Sequence, residues 1–337
     1  MNNWQSLSQV DQKQIIDNIS FKTGLSPNAI EKDWWVTKIL KVLFQTTCAE
    51  FLVFKGGTSL SKGWGIIERF SEDIDLAIDR SFFGFQGDLH KKEITKLRKH
   101  SSKYIKEKLS VELGERLLSE NITDFEIEIP ISTVSDADPQ EFFVNYVSKL
   151  PSSTHFPSQV KIEISCRSLR DPFVEVQICS VIGEYYPGED FSDPLFPVKI
   201  VSPKLTFLEK AFLLHEEFLL ERASSERMSR HLYDLEKLMD TKFGVLALKD
   251  AELYTTIVKH RFKFTKWQNV IYKKHHPSSI DFVPPATVLK EWENDYTKLK
   301  ESFIYGESLS FVDLIKRIEE LRNRFRKIIL DDEFFKG

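Results

Sequence analysis

The sequence predicts an α+β fold followed by a helical C-terminal part, and three observations carry that expectation. Short alternating apolar strands are interspersed with helical patterns through the first half of the chain. Helical periodicity fills the remainder. Between the two, Tyr186-Pro187-Gly188 and Asp193-Pro194-Leu195-Phe196-Pro197 form a loop-rich junction. The boundary is expected near residue 190, giving domains 1–190 and 191–337 of the 337 residues.

Each element has a local reason. Ser8 to Ser20 reads as a short helix. Pro27 to Phe44 reads as a longer one, with Ser26 as N-cap, Pro27 at the first helical position and Ile30, Trp34, Ile39 and Val42 on its apolar face. Phe51 to Phe54 is an apolar strand, followed by a glycine turn and a helix near Leu60 to Trp64. Ile74 to Ile78 is a second strand, and Lys91 to Glu120 is largely helical. Thr123 to Ile131, Val160 to Ser165 and Phe173 to Cys179 alternate as strands, with Asp171-Pro172 marking the turn between the last two. Helices are then expected over Pro203 to Glu221, Ser229 to Met239, Ala251 to Lys259, Thr287 to Phe303 and Ser310 to Ile329.

Composition narrows the class. Hydrophobic content of 41% and charged content of 29% fit a soluble globular chain, and 27 Phe point to aromatic-rich cores. No 18-residue apolar run is present, so no membrane association is expected. Met1 to Ser6 lacks a basic region leading into an apolar core, so no secretion signal is expected. Cys48, Cys166 and Cys179 are scattered, which suits neither a zinc site nor a disulfide framework and fits a cytoplasmic location. Net charge is −4, yet Lys91 to Lys108 holds eight Lys/Arg against two Glu. Lys259 to His276 holds six Lys/Arg and three His, interleaved with Phe262, Phe264, Trp267 and Tyr272. Basic residues with aromatics suit phosphate contact and base stacking; they also suit solvated helix faces whose aromatics pack inward.

The densest chemistry lies in Phe54-Lys55-Gly56-Gly57-Thr58-Ser59 and Arg69-Phe70-Ser71-Glu72-Asp73-Ile74-Asp75-Leu76. Glycines let a backbone turn approach phosphate, and its amides can then donate to the oxygens. On a strand, Asp73 and Asp75 share one face while Ile74 and Leu76 face the core. Paired carboxylates beside bound phosphates can hold magnesium. The segment is neither a Walker loop nor a dinucleotide fingerprint, because both consensus patterns are missing. A third carboxylate is expected, since two-metal phosphoryl transfer uses one more to coordinate or to activate the attacking hydroxyl. Glu163 in Lys161-Ile162-Glu163-Ile164-Ser165 is the first choice, with Glu126 and Glu128 as competitors on another alternating strand. Lys210 reads either as a solvated helix residue or as a point charge for phosphate. Asp234 reads either as an acid near a helix start or as a site residue.

Taken together, these residues resemble the AbiEii/AbiGii-type nucleotidyltransferase toxins of the polymerase-β-like superfamily. The resemblance rests on Glu31-Lys32-Asp33-Trp34, Lys55 to Leu60, Arg69 to Asp75, Lys161 to Ile164, Leu208-Glu209-Lys210-Ala211 and Arg230-His231-Leu232-Tyr233-Asp234-Leu235. It spans about residues 25 to 240 and leaves the region after 245 unmatched. It implies a polymerase-β-like core, a mixed sheet with flanking helices. It implies that Gly56, Gly57 and Ser59 hold a nucleoside triphosphate and that Asp73 and Asp75 hold Mg2+; Thr58, Arg69 and Lys210 are expected beside the nucleotide, and Glu163 as a third ligand of the metal. It implies catalytic roles for Asp73, Asp75, Glu163, Lys210 and Asp234. Where such proteins often have Arg-Asp ahead of the final aspartate motif, His231 stands here, so only Asp234 is carried over. The implied activity is transfer of a nucleotide to RNA, above all a transfer RNA end, by a toxin of a bacterial toxin–antitoxin or phage-defence locus with a cognate antitoxin. Two rival readings stay open: a phosphotransferase acting on protein or a small molecule, and a non-catalytic nucleotide- or RNA-binding module.

Overall fold

The computed structural model describes residues 4–131, 134, 136–153, 155–220, 223–265, 270–331 and 333–335. The chain forms two compact units, Met1–Gly63 with Phe70–Val201, and Trp64–Arg69 with Ser202–Gly337.

In the first unit, α1 (Gln9–Thr23) starts at Ser8, whose side chain accepts from Asp11 N, and stops at Gly24 in the left-handed region. Helix α2 (Pro27–Leu43) is capped by Ser26, with Pro27 inside its first turn. Its side chains are buried almost throughout, so it lies in the core and not over it. Trp35 stacks on Tyr146 at 4.8 Å and meets Trp34 edge-on at 5.2 Å.

β1 (Leu52–Lys55) runs straight into α3 (Gly56–Lys62), so the helix begins at the first glycine and not after it. There follow β2 (Ile74–Ile78), α4 (Lys91–Tyr104), a π-turn over Ile105–Leu109, α5 (Ser110–Ser119), β3 (Phe125–Glu128) and β4 (Gln140–Tyr146). The unit ends with β5 (Gln159–Ser165), β6 (Phe173–Ile178), α6 (Val181–Tyr185) and β7 (Phe196–Val201). The seven strands form one sheet in the order β3-β4-β5-β2-β1-β7-β6. It is mixed: β2 pairs antiparallel with β1 and parallel with β5, and β1 pairs parallel with β7. Ile74, Leu76, Ile162 and Ile164 point into the core.

Two strands escaped the sequence reading. β4 follows Asp138-Pro139 and carries Gln140, Glu141 and Asn145, so it looks like loop. β7 contains Pro197, which ordinarily demotes a strand. The register Phe54↔Ile200 sets Pro197 opposite Phe51, before β1 begins, so no ladder bond is lost on that side. Because β7 pairs with β6 and β1, the first unit runs to Val201, past the junction near residue 190.

The second unit is helical, with α7 (Pro203–Glu217), α8 (Ser229–Met239), α9 (Lys242–Ala247), α10 (Ala251–Phe264), α11 (Leu289–Ser302) and α12 (Phe311–Phe325). Phe325 lies 5.0 Å from Phe282 and 5.7 Å from Phe207, ring to ring, so the phenylalanine-rich composition is spent on packing. Glu216 is fully buried at 0% exposure and accepts from Arg261 and from His275 Nε2, which compensates its charge. In the C-terminal basic stretch Phe264 and Tyr272 are buried and Phe262 is exposed. Trp267 and the expected helix end at Glu221 lie outside the described residues.

Candidate active site

The acidic site is assembled by three adjacent strands of the first unit. Asp75 sits at the second position of β2, opposite Lys55 of β1 on one side and opposite Glu163 of β5 on the other. Glu163 in turn faces Glu141 of β4. Asp73 precedes the strand by one residue and is half-buried, like Asp75. By this register Glu163 is the competing glutamate that stands beside Asp75. Glu126 and Glu128 lie on β3, two strands beyond β5 from Asp75's point of view, and are exposed.

Crowding governs the protonation of these carboxylates. Burial, then the charges of Glu163 and Asp73, push the Asp75 carboxyl up to about 8. Burial also works to raise Glu163, but hydrogen bonds from Asp75 and Lys161 outweigh it and hold Glu163 below the usual range. The crowded pair thus favours one shared proton. Lys161 bridges Glu163 and Glu141, the latter at 3.1 Å. Alternation had put Lys161 on the face of Glu163, and that shared face is the signal that identifies it as the resident counter-charge. Among the described residues, no three His, Cys, Asp or Glu side chains stand as a preformed metal cage.

Gly56 has φ +80°, and a Cβ placed there would sit 2.0 Å from Asp75 Oδ2. No other residue lets the turn pass this close to the carboxylate. Gly56→Ala is therefore expected to displace either the turn or Asp75 and to lower any activity of the site about a hundredfold or more. Steady-state kinetics checks this, with a melting curve to confirm that the unit still folds.

Thr58 and Ser59 were expected to grip phosphate. Both are buried. Thr58 Oγ1 donates to the Asp73 carbonyl at 2.6 Å and Ser59 Oγ donates to the Gly56 carbonyl at 2.9 Å. Their hydroxyl protons therefore hold the turn and the approach to β2, which leaves backbone amides as the turn's donors.

The Glu31-Lys32-Asp33 segment of α2 is buried, and each side chain ties down a different segment of the unit. Glu31 accepts from Ser148 Oγ and Lys149 N at 2.5 and 2.8 Å. Lys32 pairs with Glu72 at 2.6 Å and donates to the Pro157 carbonyl at 3.1 Å. Asp33 pairs with Lys62 at the end of α3 and accepts from Val181 N, at 2.5 and 2.7 Å. Lys32 and Glu72 form a buried ion pair that sequence reasoning missed. The signal available was a run of three charges, Glu31, Lys32 and Asp33, flanked by the apolar Ile30 and Trp34.

Arg69, Lys210 and Asp234 come together in the second unit. Residues 64–69 join it through Tyr233 Oη at 3.3 Å from Glu68 N and through the pairing of Arg69 with Ile304. Arg69 forks onto Asp234, with Nε–Oδ1 at 2.7 Å and Nη2–Oδ2 at 2.8 Å, and Lys210 Nζ lies 2.9 Å from Oδ2. Exposures are 4% for Arg69, 7% for Lys210 and 0% for Asp234. Burial opposes ionisation of Asp234, but the Arg69 and Lys210 charges win and hold it well below the carboxylate range. Burial, followed by the Lys210 and Arg230 charges, drives His231 well below its usual value. The imidazole is thus neutral, and its Nδ1, 3.2 Å from Lys210 Nζ, accepts from the ammonium. Two cations on one carboxylate leave a surplus positive charge in this cluster. Arg69, expected to bind nucleotide, gives Nε and Nη2 to Asp234.

No curated protein matches the chain. Residues 38–326 match the family described as nucleotidyl transferase AbiEii toxin, type IV TA system. The match reaches into the C-terminal helices that the motifs alone leave unassigned, and the mixed sheet with its helical continuation is the architecture of a nucleotidyltransferase. The chain belongs to the AbiEii family of nucleotidyl transferase toxins.

Proposed function

We propose that the protein transfers a nucleoside monophosphate from a nucleoside triphosphate to an RNA acceptor, with a transfer RNA 3′ end as the first choice. The observation that carries this reading is the strand register that sets Asp75 beside Glu163, two residues after Asp73, against the turn at Gly56. Such crowding of carboxylates calls for a cation. Magnesium suits it, because that ion takes one or two carboxylates and fills its remaining positions with water and substrate phosphates. Asp75, Asp73 and Glu163 would hold it, and it would supply charge to the α-phosphate and to the departing pyrophosphate.

The chain's own residues account for the rest. Backbone amides of the turn at Gly56-Gly57 receive the β- and γ-phosphates. The ionised Glu163 takes the proton of the acceptor hydroxyl as its oxygen bonds to the α-phosphorus. The bond from that phosphorus to the bridging oxygen breaks, and pyrophosphate leaves with the electron pair. Lys161 keeps Glu163 charged for this task. Within a toxin–antitoxin or phage-defence locus, such transfer would silence translation until an antitoxin intervened.

Incubation with each α-labelled nucleoside triphosphate, magnesium and total transfer RNA tests the reading, beside Asp73→Ala. Label is expected on RNA with the wild type alone, and the nucleotide that labels it names the base. Label that moves only from the γ-position would make the protein a phosphotransferase instead.

A further inference from the structure

Helix α4 carries a row of lysines for which the acidic site has no use. Lys92, Lys96, Lys99 and Lys103 recur at intervals of four, three and four residues, so they share one face of the helix. The opposite face is inside, with Leu97, Ser101 and Ser102 buried. At the helical rise the row is about 16 Å long, with neighbours about 5–6 Å apart. That spacing is close to the separation of successive phosphates along one strand.

All four lysines are exposed. Among the described residues, Lys92, Lys96 and Lys99 have no carboxylate partner, and Lys103 has only the exposed Glu107 at 3.9 Å. Glu93, the other acid of the stretch, is turned back onto His90 N at 2.7 Å. The row is thus strongly basic on a chain whose net charge is −4. A protein partner would call for apolar anchors at the centre of the patch. Among the described residues, no large apolar side chain from 91 to 108 is exposed. Lysine also makes point-charge contacts without the bidentate geometry that reads bases, so the row suits a backbone and not a sequence.

We infer that this face of α4 grips the sugar-phosphate backbone of the RNA acceptor. The inference rests on the RNA-acceptor reading above and adds the place where the RNA is held. It assigns the choice of acceptor to other parts of the protein, since the row cannot tell one base from another.

The test uses the full chain with Lys92, Lys96, Lys99 and Lys103 all changed to Gln. A control changes the exposed Lys290, Lys298, Lys300 and Lys316 to Gln, which removes the same charge. Binding of a labelled single-stranded RNA is followed by anisotropy over a salt series. The α4 variant is expected to bind on the order of a hundredfold more weakly at about 0.1 M salt, with a log–log salt slope shallower by about 3, as loss of four phosphate contacts requires. The control should bind like the wild type, and both variants should melt like it. In the transfer assay, KM for RNA should rise while kcat at saturating RNA holds. An α4 variant with the wild-type slope, or equal losses in both variants, would overturn the inference while leaving the acceptor reading intact. A wild type that neither binds nor labels RNA would sink the acceptor reading itself. Wild-type binding to polyglutamate that the α4 variant loses, with RNA binding unchanged, would make the row a docking face for an acidic protein and overturn the inference.

Discussion

Asp75→Asn is expected to abolish nucleotidyl transfer, by about a thousandfold or more, while the first unit keeps its fold. The size of the loss follows from what a metal-bound phosphoryl site contributes, several kcal/mol of transition-state charge stabilisation. The preserved fold follows from the proton. In the metal-free protein the pair favours one shared proton, and burial with the neighbouring carboxylates pushes Asp75 up to about 8. Asn reproduces that neutral state in nearly the same volume. What it cannot do is ionise and offer oxygen to a cation. The same argument gives a pH signature independent of activity. A carboxyl whose folded value lies above its unfolded value, here 3.8, contributes stability that is fully present below pH 4 and is lost as pH rises through about 8. Chelator-treated wild type should therefore melt lower at pH 8.5 than at pH 5, and Asp75→Asn should lose less over that interval. Wild-type transfer by a folded Asp75→Asn protein would remove Asp75 from the site.

Much of this site was legible in the sequence because it is built on strands, where a period of two fixes which residues share a face. Asp73, Asp75 and the alternation through Lys161 and Glu163 needed no tertiary information. Their meeting did, because β2 and β5 are separated by eighty residues of chain and pair only through the parallel register. Hydroxyls were harder to read. A Thr and a Ser after two glycines look like phosphate ligands, yet the turn itself has carbonyls to satisfy, and Thr58 and Ser59 serve those first. Charge on buried helices was the least legible of all. Glu31, Lys32 and Asp33 can be placed on a helix from sequence, but the partners that bury them come from distant segments. Arg69 shows the same limit in another form. Residues 64–69 interrupt the first unit in sequence yet belong to the second, where the Arg69 guanidinium completes a carboxylate.

Asp234 offers the sharper test of what that buried cluster is for. Asp234→Ala is expected to destabilise the second unit by about 3–5 kcal/mol, because it leaves Arg69 and Lys210 buried without their shared counter-charge. Thermal or urea unfolding reads this directly, and a loss of transfer in that variant says nothing by itself about chemistry. The informative protein is the triple variant Arg69→Met, Lys210→Met, Asp234→Leu, which exchanges the network for apolar side chains of similar length. Replacing a complete buried ion network in this way is often neutral or stabilising, whereas removing one member is costly. The triple variant should therefore regain most of the stability that Asp234→Ala loses. We expect it to remain inactive, because the family resemblance gives Lys210 and Asp234 parts in the reaction that no apolar replacement can play. Recovered stability together with recovered transfer would reduce the cluster to scaffold and confine the chemistry to the carboxylates of the sheet.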